Sequence, residues 1–168
     1  LQAGGEDCVI GVDLGKHQDF TVMIAVDRTG HVVGFERLNQ VDWGFIKEKI
    51  RNFSAKYHGV ITLDSTGVGD PIFDDLYKAG LNIRGYKFTA ESKKDLVQNL
   101  ILMLDNHRLS YPEIPELQNE LKMFTFTTGA TGNIRYGAPE GYHDDCVIAL
   151  GLAAWGLGNV RKVTPIMI

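Results

Sequence analysis

The sequence has few cysteines and no long apolar segment. Only two cysteines occur among 168 residues, Cys8 and Cys146, and each lies in an apolar run. Such thiols are typical of buried structural positions, which argues against a disulfide framework or a zinc site and indicates a reducing compartment. No apolar stretch reaches the roughly 18 residues that a membrane-spanning helix needs, and no basic-then-apolar leader is present. We therefore expect a soluble domain with no membrane partner.

Positive charge is also scarce. Seventeen Lys and Arg stand against 21 Asp and Glu, which gives a formal net charge of −4. This balance argues against a simple basic nucleic-acid binder, because phosphate affinity normally comes from Lys and Arg. The objection weakens if four carboxylates hold two divalent ions, since the charges then cancel and the metals themselves bind phosphate.

The length fits one domain that can bury a full core. The chain opens at Leu1 without an initiator Met, and its first residues resemble the remnant of a linker. We expect a linker remnant at 1–7, one α/β domain at 8–160, and a tail at 161–168. The whole is interpreted as a fragment of a longer protein.

The apolar pattern predicts an antiparallel meander followed by alternating helices and strands. Strands are predicted at 8–13, 20–26, 31–38, 60–64 and 82–88. Helices are predicted at 42–57, 71–78, 92–107, 115–123 and 142–157, with Asp42 and Ser92 as N-caps. A glycine-rich connection at 129–132 predicts a projecting β-hairpin. The fold class is α/β, with a three-strand antiparallel meander, parallel strands and flanking helices.

Carboxylates follow or enter the most apolar elements. Asp13 and Asp64 each end an apolar strand, and the carboxyl ends of neighbouring strands converge on a crevice. Asp144 and Asp145 open the last helix and supply a third source. Such a cluster needs a compensating cation, and hard oxygen donors suit Mg²⁺ or Mn²⁺. Two such ions about 3.5–4 Å apart can clamp a phosphodiester, with Asp13 on the central strand as the shared ligand.

Each of these acids also has an ordinary structural interpretation. Asp13 and Asp64 precede turn-forming residues, and Asp144 and Asp145 could complement the helix dipole. Acids at all three places, the ends of the two strands and the start of the last helix, favour a functional site. Of the adjacent acids Asp144 and Asp145, we expect Asp145 to be the direct metal ligand.

Two neighbouring residues are auxiliary candidates. Asp19 could reach the same site across the first hairpin, or it could be a solvated loop acid. His143 could contact a phosphate or protonate a leaving oxygen, or it could be a structural residue at the start of a helix.

Three segments of the sequence are distinctive. The most specific is Gly141-Tyr142-His143-Asp144-Asp145 before an apolar helix. The other two are Val12-Asp13-Leu14-Gly15 with Asp19-Phe20-Thr21, and Leu63-Asp64-Ser65-Thr66-Gly67-Val68-Gly69-Asp70. With these segments, the chain resembles the nuclease domain of the large terminase subunit of tailed bacteriophages across about residues 9–157.

The resemblance implies a ribonuclease-H-like or resolvase-like fold. It places Asp13 on the first strand, Asp64 on the fourth and the Asp144-Asp145 pair on the closing helix, all binding two Mg²⁺ or Mn²⁺ ions. It also implies an endonuclease that cuts concatemeric double-stranded viral DNA during genome packaging in the host cell cytoplasm. Its expected partners are an ATPase motor domain of the same chain, the small terminase subunit and the portal.

Two cations are candidates for DNA contacts. Arg135 on the hairpin and Lys16 beside the first acid are predicted to bind phosphates of the substrate strand. Arg135 could instead be a solvated strand residue, and the hairpin could be a regulatory extension.

Three other functions remain as alternatives. Asp13-Leu14-Gly15 and Asp64-Ser65-Thr66-Gly67 mimic the phosphate loops of an actin-like ATPase, although that cleft needs two domains and no Gly-x-x-x-x-Gly-Lys-Ser/Thr loop is present. A junction resolvase of the same fold would need a dimer and a more basic face. A non-catalytic docking module should have lost its acids.

Overall fold

A five-stranded mixed sheet organises the part of the chain that the computed structural model describes, residues 8–15, 19–39 and 42–160. Its strands are β1 Cys8–Asp13, β2 Phe20–Asp27, β3 Val32–Asn39, β4 Gly59–Asp64 and β5 Ile83–Tyr86. A separate hairpin consists of β6 Thr125–Thr128 and β7 Ile134–Gly137. The helices are α1 Trp43–Tyr57, α2 Gly69–Lys78, α3 Ala90–Asp105, α4 Pro115–Met123 and α5 Asp145–Val160.

The strand order of the sheet is β3-β2-β1-β4-β5. The first three strands form an antiparallel meander, and β4 and β5 then add in parallel beside β1. This arrangement confirms the predicted mixed sheet. It also makes β1 the central strand, and its register with β4 ends at Val12 opposite Leu63, one residue before both strand-terminal aspartates.

Alternation along the strands sends both aspartates to one face of the sheet. Ile10 and Val12 pack in the core formed with α1 and α2, whereas Val9 packs in the core formed with α3, α4 and α5. Asp13 is four residues after Val9 and therefore shares its face. Ile61 and Leu63 of β4 pack on the α1 side in the same way, so Asp64 also faces α5.

Helix α5 lies directly over β1. A Cβ atom on Gly11 would be only 1.9 Å from the carbonyl oxygen of Ala149, so the helix and strand backbones approach at a point that only glycine permits. Near the other end of β1, a Cβ on Gly156 would contact Val9 at 3.6 Å. The helix thus runs antiparallel to β1, and its first residue lies at the strand end that carries Asp13.

Three helix starts differ from the predicted ones. Helix α2 begins at Gly69, two residues before the predicted start. Helix α3 begins at Ala90 with Thr89 as its N-cap, not with Ser92. The two side chains form a capping box, in which each hydroxyl accepts from the other residue's backbone N–H, at 3.0 and 2.8 Å. Helix α5 begins at Asp145, three residues later than predicted, after a turn in which the N–H of Tyr142 donates to the carbonyl of Pro139 at 3.0 Å.

The hairpin and the cysteines agree with the predictions. Strands β6 and β7 pair antiparallel, and every side chain of β6 is exposed, so the hairpin projects from the body. Cys8 and Cys146 are both buried thiols, and burial raises the pKa of the Cys146 thiol. Within the described residues, no helix combines the length and apolarity needed to cross a membrane.

Candidate metal centre

A cavity of about 240 Å³ opens at the carboxyl ends of β1 and β4. It brings together the four predicted metal ligands and one predicted auxiliary residue. Its lining residues are Asp13, Leu14, Asp19, Asp64, Thr66, Phe88, Lys93, Asp144, Asp145 and Ile148. Three separate elements therefore direct carboxylates into one crevice, as the sequence predicts.

The two strand-terminal aspartates are buried at the floor of this crevice. Asp13 is 9% exposed and Asp64 is 5% exposed. Oδ1 of Asp64 accepts a hydrogen bond of 2.8 Å from the backbone N–H of Thr66. The hydroxyl of Thr66 in turn accepts from the N–H of Phe88 at 2.8 Å, which ties the loop after β4 to the segment after β5. Asp64 is therefore held in place by a short chain of hydrogen bonds.

The surroundings of Asp145 disfavour its charged form. Its carboxylate is buried, and its pKa is raised from 3.8 to about 6, with this desolvation as the largest cause. The charges of Asp19, Glu120 and Asp144 also raise the pKa, while the N–H of Phe20, 3.2 Å from Oδ2, lowers it. A bound cation would relieve both the desolvation and the repulsion.

Asp144 approaches the crevice differently from its neighbour. It is half-buried, and its Oδ2 lies 3.5 Å from Nζ of Lys93 on α3. A Cβ placed on Gly137 would be 3.5 Å from the same oxygen, so the base of the hairpin lies beside Asp144. The pair thus divides into one buried carboxylate and one that a lysine partly neutralises.

His143 and Asp19 flank Asp145. Nδ1 of His143 is 3.6 Å from Oδ2 of Asp145 and 3.8 Å from Oδ1 of Asp19. One ligand atom from each of the three residues can be found within 4.8 Å of the others, which is compatible with a metal ion. The imidazole packs edge-on against Phe20, with ring centroids 5.3 Å apart. His143 lines a neighbouring cavity and not the carboxylate crevice itself.

One of the two predicted DNA contacts, Arg135, is not among the residues that line the crevice. Arg135 lies on β7 opposite Thr127, is exposed, and is absent from the residues that line the crevice. Lys16 lies outside the described residues, as do 1–7 and 161–168. Both contacts remain predictions.

Sequence reasoning missed two residues near the site, Lys93 and Glu120. Glu120 of α4 is 7% exposed, and its Oε2 accepts hydrogen bonds from the backbone N–H groups of Cys146 and Val147. One signal was available for Glu120. It follows Leu117 by three residues on a short amphipathic helix and therefore falls on the core-facing side, where an acid is unusual.

The fold and the crevice together define a class of protein, an α/β domain with a carboxylate centre suited to hard metal ions. The family can be stated more closely. The chain belongs to the family described as the terminase RNase H-like domain, whose sequence model matches residues 10–155. The predicted ribonuclease-H-like fold and the predicted terminase resemblance are confirmed.

Two similar proteins are large terminase subunits of Thermus viruses. The large terminase subunit of Thermus virus P23-45 is 33% identical over 147 residues, which cover 86% of this chain. The same match covers only 30% of that relative, so this chain spans less than a third of its length.

Solved structures show the same architecture. The large terminase nuclease of phage G20c with bound magnesium is 31% identical, with a TM-score of 0.82 over 88% of this chain and 80% of that one. The nuclease domain from Thermus phage P74-26 is 30% identical, with a TM-score of 0.78 over 87% and 77% of the two chains. A cobalt-bound structure of the G20c nuclease is equally similar, with a TM-score of 0.82 and 30% identity over 88% of this chain and 80% of that one.

Proposed function

We propose that this domain is a metal-dependent endodeoxyribonuclease that hydrolyses phosphodiester bonds with two divalent ions. The observation that carries the proposal is the convergence of four carboxylates from β1, β4 and the start of α5 on one crevice. Family membership supports the same conclusion, because similar chains are described as terminase nucleases.

The donor set fits Mg²⁺ or Mn²⁺. The carboxylate oxygens are hard ligands, and the buried acids Asp13, Asp64 and Asp145 would repel one another without a cation. The magnesium-bound and cobalt-bound relatives support divalent metal binding here. Two bound ions would activate the attacking water and stabilise the leaving oxygen.

The carboxylates have different proposed roles. Asp13 lies on the central strand between Asp64 and the start of α5, so we assign it as the ligand shared by both ions. Asp145 is assigned as a direct ligand because it is the more buried of the adjacent pair. Asp144 is assigned as a second or supporting ligand, since Lys93 already offsets part of its charge.

Asp19 and His143 are proposed as auxiliary groups. Both lie on the outer side of Asp145, where His143 could contact a phosphate oxygen of the substrate or supply a proton to the leaving oxygen. The DNA backbone is proposed to cross the crevice, with Lys16 and Arg135 as phosphate contacts.

The biological role follows from the terminase family. We propose that residues 8–160 form the nuclease domain of a large terminase subunit that cuts concatemeric viral DNA during packaging in the host cell cytoplasm. Residues 1–7 would then be a linker to an ATPase motor, 161–168 a tail, and the small subunit and portal further partners. Membership in the terminase family favours this role over a junction resolvase, an actin-like ATPase fragment or a docking module.

The test is plasmid cleavage. Supercoiled DNA is incubated with the purified protein in Mn²⁺, in Mg²⁺ or in chelator, and nicked and linear products are counted. We expect cutting only with metal, and none by Asp13→Asn purified in parallel, which should keep its fold because asparagine has the same shape. Cutting that persists in chelator or in Asp13→Asn would contradict the assignment, and a wild-type protein that is inactive in both metals would contradict the function.

A further inference from the structure

Glu120 is a buried carboxylate that lies outside the carboxylate crevice. It is 93% buried on α4, one turn after the fully buried Leu117. An ionised carboxylate is costly to bury unless hydrogen bonds compensate for the lost water. Its contacts therefore indicate what it does in the fold.

Those contacts are the first free amides of α5. Oε2 of Glu120 accepts from the N–H of Cys146 at 2.6 Å and from the N–H of Val147 at 3.3 Å. These are the second and third residues of the helix, and such N–H groups have no partner within it. Hydrogen bonds between a carboxylate and backbone amides at a helix start are short and strong.

In most helices a side chain just before the first turn makes these contacts. In this chain that residue is Asp144, whose backbone carbonyl already accepts from the N–H of Ile148 at 2.9 Å. The carboxylate of Asp144 is not required as the helix cap, because Glu120, 26 residues earlier in the sequence, accepts the hydrogen bond from the N–H of Cys146. Instead, Oδ2 of Asp144 lies 3.5 Å from Lys93 and lines the crevice.

We propose that Glu120 is a positioning residue for the metal centre. By capping α5 from outside, it fixes the direction in which Asp145 enters the crevice and leaves the carboxylate of Asp144 free to serve the site. The inference rests on the proposed metal-dependent function. Metal ligands must be held within about 0.5 Å of their working positions by the groups around them. A residue that fixes the start of α5 therefore affects how Asp145 and Asp144 bind the metal.

Three variants of Glu120 distinguish the effect of its side-chain length from the effect of its negative charge. Glu120→Gln keeps an acceptor oxygen at the same distance but removes the charge. Glu120→Asp keeps the charge but shortens the side chain, and Glu120→Ala removes both. Glu116 of the same helix is exposed, so Glu116→Ala is the matched control.

Two readouts are used on the folded proteins. The first is Mn²⁺ affinity, followed by electron paramagnetic resonance of the free ion. The second is hydrogen exchange of the Cys146 and Val147 amides in the metal-free protein. We expect Glu120→Asp and Glu120→Ala to weaken Mn²⁺ binding about tenfold or more and to accelerate exchange of both amides. Glu120→Gln should stay within about threefold of wild type in affinity, and Glu116→Ala should match wild type.

The outcomes distinguish this inference from the proposed function. If Glu120→Ala fails to fold, the comparison of Glu120→Gln with Glu120→Asp carries the test. Wild-type affinity in all folded variants, or retention in Glu120→Asp with loss in Glu120→Gln, would overturn the positioning role alone. A wild-type protein that binds no Mn²⁺ would overturn the proposed function, and this inference with it.

Discussion

The backbone N–H of Phe20 donates a hydrogen bond of 3.2 Å to Oδ2 of Asp145, across 125 positions of the sequence. This contact joins the first residue of β2 to the first residue of α5. Asp145 is therefore held from the sheet side as well as from its own helix. Burial and neighbouring acids raise the pKa of Asp145, and this contact lowers it. Without a metal the pKa of the carboxylate is about 6.

The metal-free protein should lose stability as the pH rises from about 4 through 6. Asp145 binds a proton more tightly in the folded state, with a pKa of about 6 instead of 3.8. Its contribution is fully present below about pH 4 and is lost as the pH rises through 6. The difference corresponds to about 2–3 kcal/mol in the free energy of unfolding.

Urea unfolding in chelator at several pH values measures this effect. Asp145→Asn should show a flatter decline between pH 4 and 7 than wild type, because asparagine does not titrate. Saturating Mn²⁺ should remove or reverse the decline in wild type, since the ion binds the ionised carboxylate. Parallel curves for wild type and Asp145→Asn in chelator would refute the assignment of this titration to Asp145.

The adjacent acids should differ in their effect on cleavage. Asp145 is buried in the crevice, whereas Asp144 is half-buried and paired with Lys93. Asp145→Ala should therefore abolish metal-dependent cutting, while Asp144→Ala should retain measurable activity. Rates of plasmid nicking at saturating Mn²⁺ provide the comparison. Equal losses would mean that both carboxylates bind metal directly.

Lys93 should matter for cutting more than for stability. Its ion pair with Asp144 is partly exposed, and such pairs contribute about 0–1 kcal/mol. Lys93→Ala should thus unfold near the wild-type midpoint but cut more slowly, because the crevice loses a cation beside Asp144. Lys47→Ala is the matched control, since Lys47 pairs with Asp75 at 2.9 Å away from the crevice. If both variants cut at the same rate, Lys93 has no role in the site.

The close approach of β1 and α5 gives a stability prediction. A methyl group on Gly11 would overlap the carbonyl oxygen of Ala149, so Gly11→Ala should force the helix away from the strand. Overpacking of this kind costs about 1–3 kcal/mol or more. Gly158→Ala is the control within α5, because nothing lies within 4 Å of its added methyl group. That variant should be neutral or stabilised by about 0.5–1 kcal/mol.

Thermal unfolding in chelator distinguishes the two glycine variants. Gly11→Ala should also weaken Mn²⁺ binding, since the same backbone contact sets the distance from Asp13 to the start of α5. A Gly11→Ala protein as stable as Gly158→Ala would show that the helix and strand can separate without cost.

The sequence is most informative where one local pattern determines the structure. The apolar runs before Asp13 and Asp64 predict two strands and place both acids at strand ends, because alternation and burial are local properties. The predicted N-cap at Ser92 is wrong because Thr89 and Ser92 are both capping residues, and their reciprocal hydrogen bonds form only when the turn forms. The spacing from Leu117 places Glu120 on the core-facing side of α4. The contacts of Glu120 and Lys93, however, depend on how α4 and α3 pack against α5, which no local pattern specifies.

The hairpin provides the last prediction, which concerns the path of the DNA. Arg135 is exposed on β7, whose final residue Gly137 lies beside Asp144, so the strand leads directly from the crevice to the guanidinium. An acidic domain must place its few cations near the scissile strand, and a projecting hairpin can reach a duplex that the flat sheet cannot. Each phosphate contact contributes about −0.9 to the slope of log affinity against log salt for duplex DNA. In Ca²⁺, which should occupy the site with little turnover, Arg135→Ala should therefore bind more weakly with a slope about one unit shallower.

Arg84 provides the control for the loss of one positive charge away from the hairpin. It is an exposed arginine on β5 and is absent from the residues that line the crevice, so Arg84→Ala removes the same charge without touching the hairpin. Both variants have the same net charge, and a phosphate contact made by the hairpin should make the salt slope of Arg135→Ala shallower than that of Arg84→Ala. If Arg135→Ala and Arg84→Ala both keep the wild-type slope and affinity, the hairpin does not bind the substrate backbone. Its exposed surface would then be a candidate contact for the proposed motor domain.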